Sequence, residues 1–274
     1  MNAVPDVTLN NGVEIPQLGF GTFLIPPAET RQATLNALEL GYRHIDTAEM
    51  YGNEKEVGEA IRDSGIDRDD IFVTSKLNNG LHEASAARAA FDRSLEDLGL
   101  ARLDLFLIHW PRPKTGNFVE AWQTLEEIYR SGRVRAIGVS NFKPHHLRRL
   151  MDNSVIVPAV NQIELHPYLT QDDVRAFNAE HDIATEAWSP IAKGRVLSDP
   201  VVVGIANNIG RTPAQVALRW AIQRGDIVFP KSVTRARVKE NFALFDFELS
   251  EADMAEISAL NRNERTGSDP DKNG

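Results

Sequence analysis

Polar side chains stand at the ends of apolar runs in this chain, where a fold by itself has little use for them. Asp46 ends HID, Lys76 ends IFVTSK, His109 ends LDLFLIH, Ser140 and Asn141 follow VRAIGV, and Gln162 interrupts AVNQIEL. The steps from Asp46 to Lys76, to His109 and to Asn141 are 30, 33 and 32 residues, about one strand-plus-helix unit each. Five residues after Asp46, in GYRHIDTAEMYGNE, comes Tyr51. A phenol with a pKa near ~10 exchanges protons poorly at neutrality. A lysine ammonium a few ångströms away favours the phenolate and lowers that value. A buried lysine in turn needs a counter-charge, which Asp46 can supply. Tyr51 then reads as a tuned acid–base group, Lys76 as its tuner, Asp46 as the anchor, and His109 as a group that orients a carbonyl oxygen. Such a set suits proton transfer to an oxygen without a nucleophile or a metal. Taken singly, Asp46 as a turn cap, His109 as a core histidine and Lys76 as a snorkelling lysine are equally good readings. Their recurrence at matching points of successive units favours a site.

The elements that must position these residues alternate along the chain. QLGFGT, HIDTA, IFVTSKL, LDLFLIHW, VRAIGVSN, AVNQIEL, ATEAWSPI and IVFPKSV read as buried parallel strands. Amphipathic stretches such as ETRQATLNALELG, ASAARAAFDRSLEDLG and FVEAWQTLEEIYRSG lie between them, many ending in the glycine that helix C-termini prefer. Eight such units predict an α/β fold of the (β/α)₈ barrel type, with a doubly wound sheet as the alternative. In a barrel the strand C-termini gather around one rim, which carries the active site. VTLNNGVEIP predicts an opening hairpin turning at Asn11-Gly12. DPVVVGIANNIGR and SEADMAEISALN predict two helices beyond the eight. No linker or composition break divides residues 1–274, so one domain is expected, ending in a polar tail over 261–274 that is either disordered or held by polar contacts alone.

Composition removes other classes. There are no cysteines, which excludes disulfides, thiolate catalysis and cysteine-ligated metals. The seven histidines lack a ligand spacing, and the adjacent His145 and His146 are expected on different sides of a helix, so no metal site is expected. A net charge of −9 argues against a nucleic-acid-binding surface. The first residues lack a signal-peptide pattern and no apolar run is long enough to span a membrane, so the expectation is a cytoplasmic protein.

With these residues in view, GYRHIDTAEMYGNE, TSKL, LIHWP, GVSNF, VNQIELHP and PKSVTRARVKENF together resemble the signature segments of the aldo-keto reductases, in order, from about Val7 to Leu260. HWPRP, VPAVNQIELHP and FDFELSEADM most resemble bacterial 2,5-diketo-D-gluconic acid reductase-type members. The resemblance implies that Asp46, Tyr51, Lys76 and His109 are the catalytic four. It also implies that Tyr51 protonates a carbonyl oxygen while NADPH delivers hydride to the carbon. NADPH would lie extended over the rim without a Rossmann domain. In keeping with this, GFGTFL carries Gly19 and Gly21 but Leu24 where a dinucleotide fingerprint has its third glycine. By similarity, Gly21, Thr22, Phe23 and Asp46 border the nicotinamide end; Ser140, Asn141 and Gln162 bond its carboxamide; and Trp188 stacks on the ring. Ser189, Pro190 and Ile191 continue that wall. Lys231, Ser232, Val233, Thr234 and Arg237 match the contacts around the 2′-phosphate, and Glu240 and Asn241 those of the adenine. Phe23, Asn78 and Trp110 are the implied substrate walls, with Asn78 standing where relatives often carry tryptophan.

The basic cluster has its own physics. Arg237 falls in the first turn of a helix that Thr234 is expected to cap, and a cation there opposes the helix dipole. A phosphate bound at that N-terminus turns the conflict into attraction, which favours NADPH over NADH. Arg235 and Lys239 are expected to form a solvated helix face. The partner implied is a small carbonyl substrate, an aldehyde, ketone, dicarbonyl or keto-sugar, and the expected state is a monomer. Two competing readings are a Schiff-base aldolase built on Lys76 and a non-catalytic NADPH-binding sensor.

Overall fold

The computed structural model describes residues 4–273. The eight expected strands all form, as β3 (Phe20–Gly21), β4 (His44–Asp46), β5 (Phe72–Leu77), β6 (Leu103–Ile108), β7 (Val134–Ser140), β8 (Val160–Glu164), β9 (Ala184–Trp188) and β10 (Ile227–Val228). They pair in parallel in chain order. The ends of this sheet also meet: Gly19 N–H donates to Val228 O at 2.8 Å, and Val228 N–H to Gln17 O at 3.0 Å. Closure decides for the barrel over the doubly wound sheet. Each strand is followed by a helix, in turn α1 (Pro27–Leu40), α2 (Glu54–Asp63), α3 (Ala84–Leu98), α4 (Phe118–Arg130), α5 (Pro144–Met151), α6 (Asp172–Glu180), α8 (Pro213–Gln223) and α9 (Arg235–Phe242). The two additional helices are α7 (Pro200–Ile209) and α10 (Glu251–Ser258).

Strand β6 shows how the sequence pattern makes two buried faces. Phe106 and Ile108 point out against the helices, while Leu105 and Leu107 join Phe72, Ala136, Val160 and Ile227 inside the barrel. Both faces are dry, so the run is continuously apolar instead of alternating with polar residues. Leu9 and Ile15 of the opening hairpin, β1 (Asp6–Thr8) and β2 (Glu14–Pro16), pack into the same inner cluster and close the barrel floor. Polar side chains therefore gather at the opposite rim. The hairpin turn is one residue longer than Asn11-Gly12 implies, because Leu9 and Val13 pair around Asn10, Asn11 and Gly12, with Gly12 at φ 81°.

Two local expectations need correction, and the tail, left open between disorder and polar contacts, takes the second form. Thr234 does precede α9, but its side chain makes no capping hydrogen bond; instead Thr234 N–H donates to Ser232 Oγ at 3.1 Å. His145 and His146 do not diverge: their rings lie 4.0 Å apart, and both Nε2 atoms approach Asp271 Oδ1, at 3.0 and 3.2 Å. Adjacent helical residues sit only about 100° apart around the axis, so two long side chains can turn to a common target. Against metal ligation there, His146 Nδ1 accepts the Lys143 N–H, which leaves the proton on Nε2. The tail, finally, is held by polar contacts. Lys143 Nζ sits 2.6 Å from Asp269 Oδ1 and from Asp271 Oδ2, and the buried Glu164 carboxylate accepts Thr266 N–H, Thr266 Oγ1 and Gly267 N–H.

Candidate active site

Asp46, Lys76, His109, Asn141 and Gln162 meet at the rim as their spacing predicts. Lys76 is fully buried, and its ammonium donates to Asp46 Oδ1, Asp46 Oδ2 and Thr47 O, each at 2.8 Å. Tyr51 lies in a short turn of 3₁₀ helix, Glu49–Tyr51, ahead of α2. Its hydroxyl is 3.5 Å from Lys76 Nζ, the loosest of the lysine's four contacts. The Tyr51 ring is clamped between Phe23, at 5.0 Å between centroids, and His109, edge-on at 5.7 Å.

The electrostatics differ from the sequence expectation. Burial pushes the Tyr51 hydroxyl up to about 12; Lys76 pulls the other way but does not win. Tyr51 is only partly exposed, and desolvation of its phenolate by the protein packed around it is the larger effect. Lys76 has also committed its donors to Asp46 and Thr47. Burial opposes the lysine's charge, yet Asp46 and Tyr51 outweigh it and the ammonium is held above its ordinary value. A Schiff-base lysine must be a free neutral amine; this one is charged, enclosed and saturated, which removes the aldolase reading. Burial, with Lys76 nearby, lowers His109 to about 3. His109 is thus a neutral imidazole, able to hydrogen-bond a carbonyl oxygen without competing as the acid.

A cavity of about 580 Å³ opens above these groups. Its wall includes Gly21, Phe23, Asp46, Tyr51, His109 and Trp110, and runs past Ser140, Asn141, Gln162 and Trp188 to Ser189, Pro190, Ile191 and Lys231. Thr22 stands just behind it, with its N–H and hydroxyl both donating to Asp46 O. Gly21 is a packing requirement too, since a Cβ there would come within 2.9 Å of Phe229 O. The backbone is left-handed at Asn141 (φ 65°) and at Ser189 (φ 51°), the kind of strain that clusters at functional sites.

Some expected contacts are already engaged within the protein. Asn141 Nδ2 donates to His109 O and Ser140 Oγ, both at 3.0 Å, while Asn141 Oδ1 accepts Trp188 Nε1–H at 2.8 Å. Ser140 Oγ donates to Gln162 O. Asn78 does not line the cavity; its Oδ1 accepts Asn79 N–H at 2.7 Å. Ser232, Val233, Thr234, Arg237, Glu240 and Asn241 lie beyond the cavity, at and along α9. There Arg235 and Lys239 are exposed as expected, and Arg235 pairs with Glu39 and bonds Asn36 across the surface. Among the described residues, Lys231 and Arg237 form no ion pair and both are exposed. Two unpaired cations at a helix N-terminus fit a phosphate group. Gln162 Oε1, which has no protein donor among the described residues, fits a carboxamide N–H.

Sequence reasoning missed three residues. Asn53 is buried where an N-cap would stand, yet it does not cap. Its amide donates to Thr22 O, Ile25 O and Thr30 Oγ1, and its oxygen accepts Thr47 Oγ1, tying together the loops beside Tyr51. Glu54 accepts Ser75 Oγ and Ser94 Oγ, fixing α2 to β5 and α3. Glu186, inside ATEAWSPI, is fully buried below the rim. A lone acid within an apolar strand was the available signal.

The tail also proves to be a wall: Gly267 and Ser268 line the cavity, and a Cβ on Gly267 would meet the Trp188 ring at 2.4 Å. Among the described residues no helix is long and apolar enough to cross a membrane.

Comparison with known proteins agrees with this geometry. Residues 17–262 match the model of the aldo/keto reductase family. The chain is 51% identical to an aldo-keto reductase of Mycolicibacterium smegmatis over 97% of each chain. It is 45% identical to a glyoxal reductase of Bacillus subtilis, covering 97% of this chain and 96% of that one. The crystal structure of a Gox0644 mutant in complex with NADPH superposes with a TM-score of 0.95 at 44% identity, covering 99% of both chains. A barrel rim with a buried lysine–aspartate pair beneath a tyrosine, carried by a sequence this close to its relatives, belongs to the aldo/keto reductase family, and the chain is an oxidoreductase of aldehyde and ketone carbonyls.

Proposed function

We propose that the protein reduces small α-dicarbonyls and simple aldehydes to alcohols with NADPH, Tyr51 acting as the general acid. The observation that carries this reading is the convergence of the Tyr51 hydroxyl and the neutral His109 ring on one cavity, above the Lys76–Asp46 pair. Bound NADPH supplies a hydride to the carbonyl carbon. His109 positions the carbonyl oxygen beside Tyr51, which donates its proton as negative charge develops there. A phenol near 12 is still a much stronger acid than an alcohol, whose value lies near water's ~15.7, so the transfer runs downhill. Lys76 stays charged and limits the cost of the phenolate left behind. The reverse reaction needs the phenolate, which is scarce at neutral pH, so alcohol oxidation is slow there and speeds up as pH rises.

The substrate end argues for small dicarbonyls over keto-sugars. Phe23, Leu24, Met50 and Trp110 make that wall apolar, and Asn78 Oδ1 is taken by the Asn79 N–H. A sugar's hydroxyls would lose water there and find few partners. The 2,5-diketo-D-gluconic acid reductase-like segments thus mark a shared scaffold, whereas identity to the glyoxal reductase supports the smaller substrate. Methylglyoxal should exceed 2,5-diketo-D-gluconate in kcat/KM by about tenfold or more, the scale of one unmet hydrogen bond. The opposite order in a spectrophotometric assay of NADPH consumption would reverse this assignment. We read the enzyme as a cytoplasmic monomer working as a single domain.

Lys231 and Arg237 hold the 2′-phosphate in this reading. Replacing both with neutral residues should weaken NADPH by about one to three orders of magnitude, from roughly 1.5–3 kcal/mol per charged hydrogen bond reduced by solvent screening. NADH, which lacks that phosphate, should change little. Titration of both cofactors checks this; equal losses would assign the two residues to the fold or the adenine.

A further inference from the structure

Beneath the rim, one lysine faces two carboxylates. Glu186 is the register partner of Gln162 across β8 and β9 and is completely buried. Gln162 Nε2 donates one hydrogen to Glu186 Oε2 at 2.8 Å and the other to Asp46 Oδ2 at 2.9 Å. Asp46 already holds Lys76. Burial, with Asp46 nearby, pushes the Glu186 carboxyl up to about 8, so at neutral pH it is protonated and no second cation is needed. Among the described residues its Oε1 has no hydrogen-bond partner.

The geometry points to Glu186 as a positioning residue for the nicotinamide: by taking one amide hydrogen of Gln162 while Asp46 takes the other, it fixes the Gln162 carbonyl oxygen toward the cavity as an acceptor for a carboxamide N–H. An amide has two orientations of nearly equal shape, and its neighbours decide between them. Turned over, Gln162 would set its oxygen against the Asp46 carboxylate and aim N–H groups at the cofactor. With Asp46 alone as acceptor, one hydrogen would stay unmet and the side chain could rotate. Two acceptors on one nitrogen leave a single arrangement. The residue acts through Gln162 and does not itself reach the cavity wall.

This rests on the nicotinamide lying against Gln162, and the test separates the two ideas. Glu186→Leu and Glu186→Thr remove the acceptor; the threonine hydroxyl is too short to reach and its β-branch suits a strand. Each should weaken NADPH about tenfold, the loss expected when a well-placed hydrogen bond is no longer held. Binding of adenosine 2′,5′-bisphosphate, which has no nicotinamide, should be unchanged and also reports that the variant is folded. Glu186→Gln retains an acceptor oxygen and should stay within about twofold of the parent for both ligands. Gln162→Leu should reproduce the nicotinamide-specific loss. If Gln162→Leu weakens NADPH while Glu186→Leu and Glu186→Thr do not, Glu186 has no positioning role. Unchanged NADPH binding in Gln162→Leu would overturn the nicotinamide placement and the Glu186 proposal with it. Loss of both ligands together in Glu186 variants that still unfold cooperatively on heating would assign Glu186 to general packing.

Discussion

Tyr51→Phe should nearly abolish carbonyl reduction while leaving NADPH binding intact. The ring stays in its clamp between Phe23 and His109, so the cavity keeps its shape. What disappears is the one hydroxyl that sits both on the cavity and within reach of Lys76. General acid catalysis contributes about 10²- to 10⁴-fold, and the upper end is expected because His109, lowered to about 3, carries no proton to spare. The parent enzyme should show a reduction rate nearly flat from neutral pH to well above 9, since Tyr51 remains protonated up to about 12. Alcohol oxidation, which needs the phenolate, should rise across the same range. Steady-state rates in both directions against pH check this. Substantial reduction by Tyr51→Phe would move the proton source elsewhere.

Lys76→Met should cost stability as well as rate. Lys76 and Asp46 are both buried, and the ammonium meets both carboxylate oxygens at 2.8 Å. Removing one partner of a buried pair leaves the other uncompensated, at roughly 3–5 kcal/mol. Thermal unfolding should therefore fall by several degrees, and Asp46→Asn combined with Lys76→Met should recover part of the loss. For activity, removal of the nearby cation leaves the Tyr51 phenolate without its stabiliser, so residual oxidation should shift to still higher pH. An unshifted profile would exclude Lys76 as the group that stabilises the phenolate.

What the sequence reveals and what it hides divide along physical lines. Unbroken apolar runs such as LDLFLI show that β6 is covered on both faces, and the recurrence of Asp46, Lys76 and His109 at strand ends places them on one rim. Such patterns depend on local periodicity. Contacts made across the barrel leave no local trace: Gln162 and Asp46 are 116 positions apart, and nothing near either names the other as a partner. Asn53 looks like a helix cap because caps and loop anchors use the same residue types, and Thr234 misleads in the same way. The sign of the Tyr51 shift also needed the structure. A charge pair can be guessed from sequence, but the depth of the hydroxyl, which decides the contest, cannot.

The most direct test follows the hydride. NADPH deuterated at the transferring position of its nicotinamide is incubated with methylglyoxal and the enzyme, and the alcohol is analysed by mass spectrometry. The expected product carries one deuterium on the carbon that was the carbonyl, formed by the parent and all but absent with Tyr51→Phe. An alcohol without the label, or equal labelled product from both proteins, would contradict hydride transfer at this rim with Tyr51 as the acid.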